Sequence, residues 1–309
     1  MDAAIEARGL VKRFGGRAAV DGVDLSVPAG SIFGFLGQNG AGKTTTLRML
    51  LGILEPDGGE RRLLGESRPL KAAHRVGYLP EERGLYPAMT PREAIAYMGA
   101  LRGLAWAEGR RRADALLEAN GLGPQGKAKI KTLSKGMAQK VQLLATIVHR
   151  PDVIVLDEPF SGLDPVNQEA LETLIRGERA RGATILFSTH VMAHAERLCD
   201  ALVIIAHGRT RFTGSVDAAR RMLPTRVALV TERPLPAADT VLPPGFATDG
   251  GNGYRFDLPA DGLEPTLRRL LDAGAGVRDL HVERPGLHDA FMAIVGSDGA
   301  ETPNMEAAA

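Results

Sequence analysis

The sequence predicts an α/β fold, with an antiparallel β subdomain at the N-terminus, a helical lobe inserted into the core and a small α+β domain behind it. Three observations carry this. Short β-type runs (IEARGLV, AVDGVDLSV, SIFGFL) lead into a glycine-rich turn and a helix, after which β-rich and helix-rich segments alternate to about residue 207. The stretch 91–149 breaks that alternation, since PREAIAYMGALRGLAWAEGRRRADALLEAN holds helix formers with no strand between them. After Met222 the texture shifts to the Pro and Gly punctuation of TERPLPAADTVLPPG.

The elements follow in order. TTTLRMLLGIL after the glycine-rich turn reads as a helix, and VIVL at 153–156, ALVIIA at 201–206 and ATILFSTH read as strands of a buried sheet. Ser134 caps a helix whose inner face is Val141, Leu144, Ala145 and Val148, and Trp106 is expected to pack within the helical lobe. The last part contains TRVALVT, YRFDL, a helix at 264–272, RDLHVER and the helix LHDAFMAIVG. The resulting division is a first domain at 4–218 with its helical lobe at about 90–150, an accessory domain at 222–298 and a frayed tail at 299–309.

Composition narrows the function classes. The 309 residues are enough for one large and one small unit, and 38 basic against 37 acidic residues leave a formal charge of +1. No global field attracts nucleic acid or an anionic membrane. The one cysteine, Cys199, has no partner for an internal disulfide, the start MDAAIEARGLVKRF carries no apolar signal segment, and no apolar run approaches the ~20 residues that span a bilayer. A cytosolic chain is expected, so any membrane crossing falls to another chain.

The sharpest local pattern is GQNGAGKTTT at 37–46, which fits G-x-x-x-x-G-K-[ST] directly after SIFGFL and before a helix. Gly37, Gln38, Asn39, Gly40, Ala41 and Gly42 would curl so that backbone N–H groups face phosphate oxygens at a helix N-terminus. Lys43 supplies a full positive charge to the β and γ phosphates, Thr44 a hydroxyl to Mg²⁺ and Thr45 one to the α phosphate. A triphosphate with Mg²⁺ calls for a carboxylate at the end of a neighbouring strand. VIVLDEP supplies Asp157 for the metal, with Glu158 beside it to polarise an attacking water. These motifs predict a P-loop ATPase core.

LSKGM, then VIVLDEP, then SGLD, then STH at a strand end together resemble the ordered motif set of ABC transporter ATP-binding subunits, over about residues 5–215. The resemblance implies two subunits sandwiching two ATP molecules, as a homodimer or with a paired ATPase subunit. The signature Leu133, Ser134, Lys135, Gly136 and Met137 of one then faces the γ phosphate held by the other. It implies that Ser161, Gly162, Leu163 and Asp164 link the two sites, that His190 contacts the γ phosphate, that Phe14 stacks on adenine and that Val20 flanks the base. Lys135 and Met137 depart from the usual L-S-G-G-Q. Lys135 serves either phosphate or solvent. In VGYLPEERGLYP the position that usually offers Gln to Mg²⁺ and water holds Glu81, with Glu82 as the other register. This variant resembles a branch of exporters with a small C-terminal domain. It implies integral membrane permease subunits docked near 81–87 and the helical lobe, and a chain peripheral to the cytoplasmic face of the membrane. The competing readings are a nucleotide-sensing regulatory module whose C-terminal domain binds a ligand or protein, and a soluble ATPase of the same family acting in translation or DNA repair.

Overall fold

The computed structural model describes residues 3–82, 84–235 and 237–296. The tail expected at 299–309 lies outside the described residues, as does Arg83 within the loop 81–87. The chain divides into two compact units, the first running to Val216 and the second beginning at Asp217.

In the first unit, β1 (Ala3–Phe14) and β2 (Arg17–Pro28) form a hairpin through Gly15 and Gly16, both at positive φ. A tight turn of this kind favours glycine. After β3 (Ile32–Leu36) and α1 (Lys43–Leu50), β4 (Gly58–Leu63) returns to the other edge of β1, giving an antiparallel sheet in the order β2-β1-β4. This is the N-terminal β subdomain that the sequence predicts.

The chain continues through β5 (Val76–Leu79) into the helical lobe of α2 (Pro91–Leu101), α3 (Trp106–Ala119) and α4 (Lys135–Ile147). Thr90 starts α2 with a capping box: its hydroxyl accepts from Glu93 N at 3.2 Å, and Glu93 Oε2 accepts from Thr90 N at 2.9 Å. Pro91 occupies the first turn, where its missing N–H costs nothing. Trp106, expected to pack, opens α3 with 47% of its surface exposed.

The core then adds β6 (Val153–Leu156), α5 (Pro165–Ala180), β7 (Thr184–Thr189), α6 (Met192–Leu198), β8 (Ala201–Ala206) and β9 (Arg209–Gly214). Six strands lie in the order β5-β6-β7-β3-β8-β9, parallel except for β9. Both faces of this sheet are covered, which explains why its central strands read as unbroken apolar runs. Phe33, Phe35, Val153 and Val155 join the cluster containing Leu47 and Met49 of α1, whereas Ile32, Ile154, Leu156 and Phe187 join the cluster containing Leu144 of α4 and Leu171 of α5. The two-residue side-chain period of a strand thus feeds two cores. Among the described residues no helix is long and apolar enough to cross a membrane.

α7 (Val216–Arg220) occupies the change from the first unit to the second. The second unit contains β10 (Arg226–Thr231), α8 (Ala238–Val241), β11 (Ala247–Thr248), β12 (Gly253–Asp257), α9 (Glu264–Asp272), β13 (Val277–Glu283) and α10 (Leu287–Gly296). Its sheet is antiparallel in the order β11-β12-β10-β13, with Val227, Leu229, Tyr254, Phe256 and Leu270 forming its own core. Tyr254 donates no charge there but accepts Leu235 N through its hydroxyl at 2.9 Å, so the one polar atom of that ring is satisfied.

Candidate functional site

The strand order brings the carboxyl ends of β6, β7 and β3 side by side, so the loops that follow them converge at one edge of the parallel sheet. The loop after β3 runs from Gly37 to Gly42. A Cβ on Gly37 would lie 2.8 Å from Ile205 O, and one on Gly42 would lie 2.5 Å from Ala19 O, with Gly42 also at φ 99°. Both positions therefore admit only glycine. Gln38, Asn39 and Gly40 are exposed, whereas Ala41 is buried and accepts Gly208 N through its carbonyl. Gly42 is the N-cap of α1 and no side chain caps that end, which leaves first-turn amides oriented for an anion.

Lys43 is 6% exposed, and its Nζ donates to Gly37 O at 2.8 Å and Gln38 O at 3.3 Å. The same ammonium lies 3.1 Å from Glu158 Oε1, at ion-pair distance though outside hydrogen-bond alignment. Thr44 and Thr45 are half-buried in the first turn of α1. Val20 is fully buried and packs against the loop at Gly42, so it supports the phosphate loop from beneath. Phe14 ends β1 with 53% of its surface exposed, and Lys12 Nζ sits over its ring, 5.9 Å from the ring centre.

Asp157 and Glu158 leave β6 fully inside the protein. Asp157 Oδ1 accepts from Ser188 Oγ at 2.6 Å, whereas its Oδ2 is buried with no hydrogen-bond partner among the described residues. An ionised oxygen buried in that way is costly unless something cationic meets it, and a divalent cation meets that requirement. Ser188 Oγ also accepts from Glu158 N at 2.9 Å, which fixes a residue whose φ is 46°. A non-glycine residue in that region stores strain, a recurrent feature of functional sites. Glu158 Oε2 lies 3.0 Å from Nδ1 of His190, whose side chain is 45% exposed at the end of β7. The catalytic carboxylate expected from sequence is therefore held between a buried cation and a half-exposed imidazole.

Glu81 and Glu82 are exposed in the loop after β5, and both line a cavity of about 350 Å³ together with Lys135, Gln139, Glu158 and Ser161. The signature opens α4. Ser134 is its N-cap and accepts from Met137 N at 3.2 Å, while Leu133 and Met137 turn into the apolar core under the helical lobe. Gly136 faces Asn167, and Lys135 reaches over Gly162. Asp164 is the N-cap of α5, accepting from Asn167 N at 3.0 Å and Asn167 Nδ2 at 2.6 Å. Those bonds hold its carboxyl below the usual carboxylate range. Ser161 and Gly162 are exposed and Leu163 is half-buried.

Three contacts escape sequence reading. Ser188 orders the Asp157–Glu158 pair, Asn167 joins the signature to the start of α5, and Gln142 Nε2 donates to Glu82 O at 3.3 Å, tying α4 to the loop after β5.

Phosphate loop, paired carboxylates, a capped signature helix and a strand-end histidine on one sheet edge define a P-loop nucleotide-binding protein. The family model described as ABC transporter matches residues 20–161. An uncharacterized ABC transporter ATP-binding protein of Bacillus subtilis, YhaQ, is 35% identical over 292 residues, covering 93% of this chain and 97% of that protein. A Nod factor export ATP-binding protein I of Ralstonia nicotianae is 38% identical over 304 residues, covering 95% and 94%. A solved ATP-binding subunit of an ABC transporter superposes with a TM-score of 0.65 at 34% identity, over 71% of this chain and 92% of that one. The chain belongs to the ABC transporter ATP-binding family. Members bind ATP and work with membrane permeases, and correspondence along nearly the whole length favours a transporter subunit over a nucleotide sensor.

Proposed function

We propose that the chain hydrolyses ATP with Mg²⁺ as one of two paired subunits, a homodimer or a pair with a related ATPase, and that closure around nucleotide drives permease subunits in export. The observation that carries this reading is the setting of Glu158: a left-handed backbone, Lys43 on one carboxylate oxygen and His190 on the other, beside an Asp157 oxygen with no hydrogen-bond partner among the described residues. A sensor that only binds nucleotide needs no such carboxylate.

In this reading the loop amides and Lys43 bind the β and γ phosphates, and Thr45 reaches the α phosphate. Thr44 and Asp157 hold Mg²⁺, with Glu81 or Glu82 close to it. The metal, when bound, neutralises phosphate charge. Glu158 accepts a proton from the attacking water, and His190 orients the γ phosphate and that water. Phe14 stacks on the base. Ser134 and Gly136 grip the γ phosphate of the partner subunit, and 161–164 carries each site's state to the other.

Residues 4–218 are read as the nucleotide-binding domain and 222–298 as an accessory domain. The permease-facing surface is read as the groove of about 330 Å³ lined by Leu85, Met98, Leu101, Gln142, Ala145 and His149, which adjoins the loop 81–87. Leu101 is 61% exposed and Tyr86 56% exposed there, an apolar surface suited to a short helix of a partner. In this reading the chain sits on the cytoplasmic face of the membrane, held by its partners.

The reading is tested by purifying the tagged chain from membranes, identifying what comes with it and measuring ATP turnover with and without Mg²⁺. An integral membrane permease and Mg²⁺-dependent turnover are expected. A chain recovered without any membrane protein and with no turnover would overturn the proposal.

A further inference from the structure

A second charged cluster is buried in the first unit, away from the phosphate loop. Glu172 is 5% exposed and His194 4% exposed. Glu172 Oε1 accepts from Arg197 Nε at 2.9 Å and Nη2 at 2.6 Å, and its Oε2 lies 3.6 Å from Arg176 Nη2. A buried carboxylate survives only when paired in this way. Nδ1 of His194 lies 3.0 Å from Arg197 Nη2 and 3.4 Å from Glu172 Oε1. A guanidinium can only donate, so the shorter contact makes Nδ1 an acceptor and puts the ring proton on Nε2. Burial pushes the His194 pKa down, so the ring is neutral. It stacks on Phe160 with centroids 4.1 Å apart and planes at 12°, and Phe160 meets Phe187 edge-on at 6.0 Å.

Each member is a short step along the chain from a site residue. Phe160 is two positions beyond Glu158, His194 is one helical turn beyond His190, and Glu172 is on the helix that Asp164 caps. The strained backbone of Glu158 holds its conformation only if its surroundings over-determine it, and the ring stack behind Phe160 is one such constraint.

We propose that Glu172 and His194 are positioning residues for ATP hydrolysis: through Arg197 and the stack on Phe160, they set Glu158 against His190 and tie both to α5. The inference rests on the hydrolytic function proposed above. Neither side chain touches the phosphate loop, so it concerns the chemical step rather than nucleotide binding.

The test compares His194→Ala with His194→Phe in the full chain, reading ATP affinity, KM, kcat and Tm. Affinity and KM are expected within about twofold of wild type in both, because the two changes leave the phosphate loop intact. His194→Ala, which loses the stack, is expected to lower kcat at least about tenfold, since small misplacements of catalytic groups have effects of that order. His194→Phe restores a stacking ring and is expected to recover kcat to within about threefold. The link to α5 is read by adding Asp164→Ala to His194→Ala: linked positions give a combined loss smaller than the product of the two single losses. An unchanged kcat in His194→Ala overturns the inference, as does His194→Phe as slow as His194→Ala, or a parallel fall of affinity, kcat and Tm in both. A combined loss equal to the product overturns the link to α5. Wild-type protein without turnover would overturn the proposed function and this inference together, a result distinct from an active wild type with an unaffected His194→Ala.

Discussion

The amide of Asn167 stands where a side chain on Gly136 would stand: a Cβ at that position would lie 2.5 Å from Asn167 Nδ2 and 2.7 Å from its Cγ. The signature glycine therefore has work inside its own chain, apart from any partner. Asn167 cannot swing away freely, because its Nδ2 donates to Asp164 Oδ2 at 2.6 Å. Gly136→Ala is expected to destabilise the chain by about 1 kcal/mol, the overpacking cost less the gain from replacing a helical glycine. With Asn167→Ala already present, the same change should become stabilising. Chemical denaturation of the four chains checks the reversal of sign, and two changes that simply add would show that the Asn167 amide is no obstacle.

Ser134 separates the role within the chain from the role between chains. Its hydroxyl accepts one long bond from Met137 N, 3.2 Å, at an exposed helix start. Ser134→Arg should lose about 1 kcal/mol of capping stability and leave ATP affinity of the single chain within about twofold. In the paired arrangement proposed above, turnover should disappear, because the arginine would fill the space for the partner's γ phosphate. Nucleotide titration and turnover measured on the same preparation check this, and an equal loss of both would return Ser134 to a capping role alone.

Lys43 is the cation of the phosphate loop and also the counter-charge of Glu158. Lys43→Ala should weaken ATP binding at least about 100-fold, the scale of losing charge-assisted bonds to two phosphates. It also leaves the Glu158 side chain, 8% exposed, facing His190 alone. Isothermal titration with ATP is the measurement, and affinity near that of wild type would remove Lys43 from the phosphate site.

His149 gives the fold a defined pH dependence. Burial pushes its pKa down to about 4, nearby Arg102, Arg112 and Arg181 act in the same direction, and the contact with Val76 O at 3.2 Å opposes them. The folded value lies below the unfolded value of ~6.5, so the unfolded chain takes up the proton first as pH falls. This contribution is complete above pH ~6.5 and is lost between there and pH ~4. The ring is only partly buried, so the change is about 1–2 kcal/mol after allowance for solvent screening. His149→Gln should flatten the curve of Tm against pH across that window, and an unaltered slope would assign the dependence to other groups.

The phosphate loop and the Asp157–Glu158 pair were legible because their chemistry is written in consecutive residues, and the parallel strands were legible because burial on both faces leaves unbroken apolar runs. Val20, expected beside the base, is fully buried and supports the loop at Gly42. Trp106 was misread for the opposite reason: its size suggested packing, yet as the first residue of α3 it extends past the lobe's core. What stayed illegible crosses between elements. Ser188 meets Asp157 from 31 residues away and Glu172 meets Arg197 from 25, and no local pattern announces either pairing.

The strongest test of the mechanism is Glu158→Gln, because it asks whether hydrolysis is what opens the nucleotide sandwich. The amide keeps the size of the carboxylate and can still meet His190 Nδ1, now 3.0 Å from Oε2. It cannot take a proton from water, so ATP should bind and persist while turnover falls by at least about 100-fold. Lys43, released from its ion pair at 3.1 Å, is freer to meet phosphate, so affinity should hold or rise. Ser188 still bonds Asp157 Oδ1 and the backbone of residue 158, so the Asp157 carboxylate keeps its place. Size-exclusion chromatography with ATP should show the variant as a dimer and the wild type largely as a monomer. With ADP, which has no γ phosphate for the opposing Ser134 to grip, both should remain monomeric. A variant that stays monomeric at saturating ATP, or that dimerises equally with ADP, would show that Ser134 and Gly136 do not receive a partner's phosphate in this chain.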